Sequence, residues 1–94
     1  MEDTLNKFLD YLAHQKNYSG NTVAAYRMDI LSFFSYLHNI KILSLADVDY
    51  QVFMGFLSCL RERKLADSTV ARKVASLKAF FKFLFTRKLI NANP

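Results

Sequence analysis

Ser68-Thr69-Val70-Ala71-Arg72-Lys73-Val74-Ala75-Ser76-Leu77-Lys78-Ala79-Phe80-Phe81-Lys82-Phe83-Leu84-Phe85 is the stretch on which the fold turns. Val70, Val74, Leu77, Phe81, Leu84 and Phe85 follow one another at helical rather than strand spacing, so they line one face of an α-helix. Ser68 is placed to cap its start, and the pattern runs to near Lys88. Phe80 and Phe83 fall partly outside that stripe. Residues 80–85 are therefore apolar almost all round, which fits either a helix central to its own domain or one with a second surface for a partner domain.

The same periodicity extends outward. Val23, Tyr26, Ile30, Phe33, Phe34 and Leu37 form the stripe of a second helix, capped by Ser19 and ending around His38 or Asn39. Leu5, Phe8, Leu9 and Leu12 mark a first helix from near Thr4 to near Asn17, with Glu2 and Asp3 suiting its positive N-terminal end. Phe53, Phe56, Leu57 and Leu60 mark a third, capped by Asp47 and ending in the charged stretch Arg61 to Lys64. Gly55 inside it costs roughly 1 kcal/mol of helix propensity relative to Ala. Ile40 to Ala46 carries a β-branched patch but is short, and reads as a connection whose apolar side chains cover the core. Strong punctuators are few: Gly20, Gly55 and Pro94. The expectation is an all-α fold of four helices on one core, with residues 1–94 as a single domain.

Composition narrows the function. At 52% hydrophobic and 22% charged the chain has the apolar content for a packed core. The single Cys59 cannot form an internal disulfide and reads as a small core hydrophobe; with only two histidines there is no metal-ligand set of the usual spacing. No Gly-rich phosphate loop, HExxH or GxSxG motif is present, so neither a cofactor nor catalysis is expected here. His14 and His38 read as helix-terminal surface residues, and the five tyrosines as amphipathic packing residues. The acidic start is unlike a signal peptide and no apolar run approaches the ~20 residues of a membrane span, which leads to the expectation of a cytoplasmic chain with no membrane partner.

Charge is unevenly placed. Residues 1–60 carry four basic and six acidic side chains, a balance of −2, whereas residues 61–94 carry nine and two, a balance of +7. A positive field concentrated in the last third suits an anionic partner. Projected at about 100° per residue, the fourth helix sets Thr69, Arg72, Ser76 and Ala79 opposite its core stripe, with Lys73, Lys78 and Lys82 flanking. Small polar residues around a central arginine suit a major groove, where Arg reads guanine edges and lysines meet phosphates. The second helix repeats the pattern with Asn21, Ala25, Met28 and Ser32 outward and Thr22 and Arg27 on the shoulders.

Asn17-Tyr18-Ser19-Gly20-Asn21-Thr22-Val23-Ala24-Ala25-Tyr26-Arg27-Met28-Asp29-Ile30, followed by Phe33 and Leu37, resembles the S-x-x-T-x-x-x-Y-x-x-D-L signature of the N-terminal, core-binding domain of tyrosine recombinases, in their Xer-like and phage-integrase branch. Residues 68–84 resemble that domain's last helix, and Ile90-Asn91-Ala92-Asn93-Pro94 its exit toward the catalytic domain. The resemblance implies a four-helix SAM-like orthogonal bundle, an N-terminal fragment of a longer recombinase, that forms one arm of a clamp on double-stranded DNA. Its partners would be the downstream catalytic domain of the same chain and other recombinase protomers in a synaptic assembly. The DNA-facing set it implies is Asn21, Thr22, Ala25 and Met28 on the second helix and Thr69, Arg72, Lys73 and Ser76 on the fourth. The family's catalytic residues match nothing in this chain, and Lys78 stands where relatives often place Arg. The alternative is a helical interaction module whose basic face meets an acidic protein or an anionic membrane surface.

Overall fold

The computed structural model describes residues 1–91. Four α-helices follow in the order α1 (Glu2–His14), α2 (Gly20–Asn39), α3 (Tyr50–Glu62) and α4 (Asp67–Thr86), with a 3-10 turn at Leu45–Asp47 between α2 and α3. The fold is all-α, 76% helical, with no strand among the described residues. Residues 92–94, which belong to the expected exit segment, lie outside the described residues.

Local chemistry sets the helix starts. Ser19 caps α2 as expected, its Oγ accepting the Thr22 amide at 3.2 Å. The other two expected caps move. Asp47 lies within the 3-10 turn, because Leu45 and Val48 on either side of it are drawn into the core, at 8% and 7% exposure. Asp49 takes over as the cap of α3, accepting the Val52 amide at 2.9 Å. In α4 Ser68 is already helical: the N-cap is Ala66, which makes no side-chain bond, and Asp67 in the first turn suits the helix dipole. The α1 helix begins earlier than expected, at Glu2, and ends at His14.

The helices end without glycine. Lys41, Lys64 and Lys88 follow the C-caps of α2, α3 and α4 with φ of 63°, 56° and 59°, and Asn17 after α1 has φ 54°. At α2 the Lys41 amide donates to His38 O and the Ile42 amide to Leu37 O; at α4 the Lys88 amide donates to Phe85 O and the Leu89 amide to Leu84 O. This is the Schellman arrangement that satisfies the last carbonyls, made here with lysine in the left-handed position that glycine usually takes.

α4 is the central element, packing against α1, α2 and α3. Phe80 meets Phe8 of α1 at 5.3 Å and Phe34 of α2 at 5.9 Å, while Phe81 meets Phe33 of α2 at 5.9 Å; Phe33 in turn meets Phe56 of α3 at 5.1 Å. Adjacent phenylalanines thus serve two sides of the core. Phe80, Phe81 and Phe83 are all buried, which explains the apolar run from the helix's own central position. Gly55 is required by a close approach: a Cβ there would stand 2.5 Å from Tyr36 Oη. No helix of the described residues is long and apolar enough to cross a membrane.

Candidate nucleic-acid interface

A groove of about 350 Å³ runs between α2 and α4. Asn21, Thr22 and Ala25 form its α2 wall, Arg72 and Ala75 its α4 wall, and Tyr26, Asp29 and Ser76 complete it. It brings together five of the eight residues expected on the DNA side. Of the others, Met28 is 65% exposed on α2 outside the groove. Thr69 is half-buried on α4. Lys73 stands apart from the lining and turns inward.

The groove is organised by a residue to which sequence reading gave no role. Asp29 is 1% exposed, and its carboxylate collects three polar side chains of α4. Arg72 donates through Nη2 to Oδ1 at 2.9 Å and through Nε to Oδ2 at 3.3 Å. Ser76 Oγ donates to Oδ2 at 2.8 Å, and Lys73 Nζ to Oδ1 at 3.5 Å. A buried carboxylate is tolerated only when paired and hydrogen-bonded, and this one is. Among the described residues no buried side-chain nitrogen or oxygen lacks a partner.

Two expectations are corrected here. Ser76 is 4% exposed and not on an outward face. It precedes Phe80 by four residues and Phe83 by seven, so once both rings point inward, Ser76 shares their stripe. Lys73, with its side chain 13% exposed, is a partner of Asp29 and not a free flanking cation. Arg72 keeps its outward position with its side chain 57% exposed, and Ala75, which the projection left aside, lines the groove beside it. The signal for Asp29 was present: it follows Tyr26 by three residues and precedes Phe33 by four, an acid placed on the apolar stripe.

Beyond Tyr26 a second cavity of about 410 Å³ lies between α1, α2 and α4, with Lys16, Lys82 and Arg87 among its lining together with Tyr11, Tyr18 and Phe83. Arg87 lies over the Phe83 ring at 4.9 Å and the Tyr11 ring at 5.5 Å, so its guanidinium is held against two aromatic side chains by cation–π attraction. Tyr18 and Tyr26 stack at 5.9 Å. Burial first, then Tyr18 and the Asp29 carboxylate, raises the Tyr26 hydroxyl above its ordinary 10.0, so it stands in the groove as a neutral phenol. Arg72, Lys82, Lys16 and Arg87 thus edge two cavities that meet at Tyr26. Among the described residues no cluster of three or more His, Cys, Asp or Glu could hold a metal ion.

Comparison with known proteins agrees with this architecture. Similar chains include the tyrosine recombinase XerC of Roseiflexus castenholzii, 43% identical over 94 residues, all of this chain and 30% of that protein. The XerC of Anoxybacillus flavithermus is 42% identical over 91 residues, 97% of this chain and 30% of that one. The XerC of Listeria monocytogenes is 38% identical over 88 residues, 94% of this chain and 29% of that one. The chain therefore spans less than a third of the length of these curated relatives. No solved structure matches it significantly. The model of the phage integrase N-terminal SAM-like domain matches residues 5–88, nearly the whole of the four-helix bundle, and the chain belongs to that family.

Proposed function

We propose that this chain binds duplex DNA as the N-terminal arm of a site-specific tyrosine recombinase or integrase, with α2 and α4 turned to the major groove. Cleavage and rejoining of the strands fall to a catalytic domain of the same protein, and other protomers complete the synaptic assembly. The observation that carries the reading is the α2–α4 groove, in which an exposed guanidinium stands beside small and polar side chains while the acid on the groove floor is already paired. Asn21, Thr22 and Ala25 allow a close approach to bases or sugar. Met28 and Thr69 fall at the edges of the contact, Lys73 and Ser76 support it through Asp29, and Lys16, Lys78, Lys82 and Arg87 meet phosphates. The first turn of α2 holds no acidic residue, so its dipole adds to the positive field.

Affinity for a duplex should fall steeply with salt, because each neutralised phosphate releases counterions. With about four phosphate contacts the log-log slope is near −3.6. A titration against a random duplex at several salt concentrations measures it. Binding that ignores salt, or an equal affinity for an acidic polypeptide, would replace the duplex by an acidic protein partner.

A further inference from the structure

Arg72 is tethered along one edge only. Its Nε and Nη2 donate to the two oxygens of Asp29 at 3.3 and 2.9 Å, a side-on fork, while the side chain remains 57% exposed. A guanidinium carries five N–H donors in a rigid plane. The fork uses Nε–H and one hydrogen of Nη2, which leaves the second hydrogen of Nη2 and one hydrogen of Nη1 side by side along the adjoining end-on edge, with the other Nη1 hydrogen turned toward the Cδ side. That free edge presents two parallel N–H bonds, the pattern that matches the O6 and N7 acceptors of guanine. The carboxylate is itself fixed from its other side by Ser76 at 2.8 Å and Lys73 at 3.5 Å, and at 1% exposure it has no room to turn.

We propose that Asp29 is a specificity-determining positioning residue: by occupying the Nε/Nη2 edge of Arg72 it fixes the guanidinium so that the Nη1/Nη2 edge faces a guanine in the major groove of bound DNA. The proposal rests on the duplex-binding reading above and adds to it the residue that sets the arginine's orientation. A mobile arginine binds phosphate or base on any sequence; one held by a buried carboxylate meets one base edge in one geometry. Ala25 and Ala75 on the two walls carry no bulk to hold a base edge away.

Replacing Asp29 by Asn therefore has two effects of opposite direction. It raises the net charge of +5 by one unit, which holds or strengthens affinity for arbitrary DNA. It also frees Arg72 to rotate, which lowers discrimination. A purely structural role would lower both together.

The test equilibrates the 94-residue chain and its Asp29→Asn and Arg72→Lys variants with a short duplex library carrying a randomised centre. Total affinity is measured and the bound fraction sequenced, with circular dichroism to establish folding. The wild type is expected to enrich guanine at one position about tenfold. Both variants should lose that enrichment, with Asp29→Asn keeping wild-type or higher affinity for the unselected library. Arg72→Lys retains the charge and an ion pair with Asp29 but has no planar fork, so it gives the answer if Asp29→Asn does not fold. Guanine enrichment that persists in folded Asp29→Asn, or in Arg72→Lys, overturns the proposal, as does wild-type binding with no guanine preference. A wild-type chain that binds no duplex removes the duplex-binding reading itself.

Discussion

Asp29 of α2 and Ser76 of α4, 47 residues apart in sequence, meet at 2.8 Å inside the bundle. The contact joins two helices through a hydroxyl and a carboxylate that are both sealed from water, and it ties the geometry of the groove to the stability of the fold. A carboxylate with several donors is asymmetric with respect to mutation: removing one donor leaves it partly satisfied, whereas removing the acceptor strands the donors.

Asp29→Ala should therefore destabilise the chain by about 2–4 kcal/mol, because it strands the Ser76 hydroxyl and the largely buried Lys73 ammonium. Arg72→Ala leaves Asp29 with both of those partners and removes a half-exposed ion pair, at a cost of about 1 kcal/mol. Urea denaturation midpoints of the two variants give the ranking. Equal losses would mean that Asp29 acts through Arg72 alone.

Gly55→Ala tests the helix contact between α2 and α3. On propensity the change should stabilise by about 1 kcal/mol. The new Cβ, however, would stand 2.5 Å from Tyr36 Oη, and the Tyr36 ring is packed against Phe56 at 5.4 Å, so the ring cannot swing away freely. A net loss of about 1 kcal/mol is expected. Adding Tyr36→Phe leaves the ring carbon at 3.7 Å, an ordinary contact, and should restore the gain. Thermal melts of the single and double variants decide it, and a stabilised single variant would contradict the packing.

Lys41→Gly should stabilise by up to about 1 kcal/mol, since a left-handed conformation costs a side-chain-bearing residue about 1–2 kcal/mol and Gly nothing, offset by the greater freedom of Gly in the unfolded chain. For a domain of this size that is a rise of about 4–8 °C in Tm. A fall in Tm would show that the Lys41 side chain does more at the end of α2 than complete the turn.

Tyr26 gives the fold an alkaline dependence. Its folded pKa is raised, by burial first and then by Tyr18 and Asp29, so its contribution is fully present below the unfolded value near 10.0 and is lost as pH rises through the higher folded value. Tyr26→Phe should show a smaller loss of stability above about pH 10 than the wild type. Melting curves on either side of that pH measure the difference, and parallel losses would remove Tyr26 as the cause.

Sequence by itself determined the helices, their order and most of the core, because a helix must bury one face and its apolar residues then recur at three and four. Leu77, Phe81 and Leu84, like Ile30, Phe33 and Leu37, could be placed inside on spacing alone. It also fixed the charge gradient, and the family follows from motifs in α2 and α4. Helix ends were less legible: Asp47 and Asp49 are equally good caps in isolation, and only the burial of Leu45 and Val48 selects the second. The lysines at the helix ends carry no turn signal, since their left-handed conformation is imposed by the closing hydrogen bonds. What only the tertiary structure decided is the groove. A projection assigns one inner face to each helix, but α4 is surrounded by three others, so its buried arc widens and takes in Ser76 and much of Lys73. Asp29 sits on an apolar stripe for a reason no local pattern contains: its partners lie on a helix more than forty residues away, and a buried carboxylate is stable only where the fold delivers their donors to it.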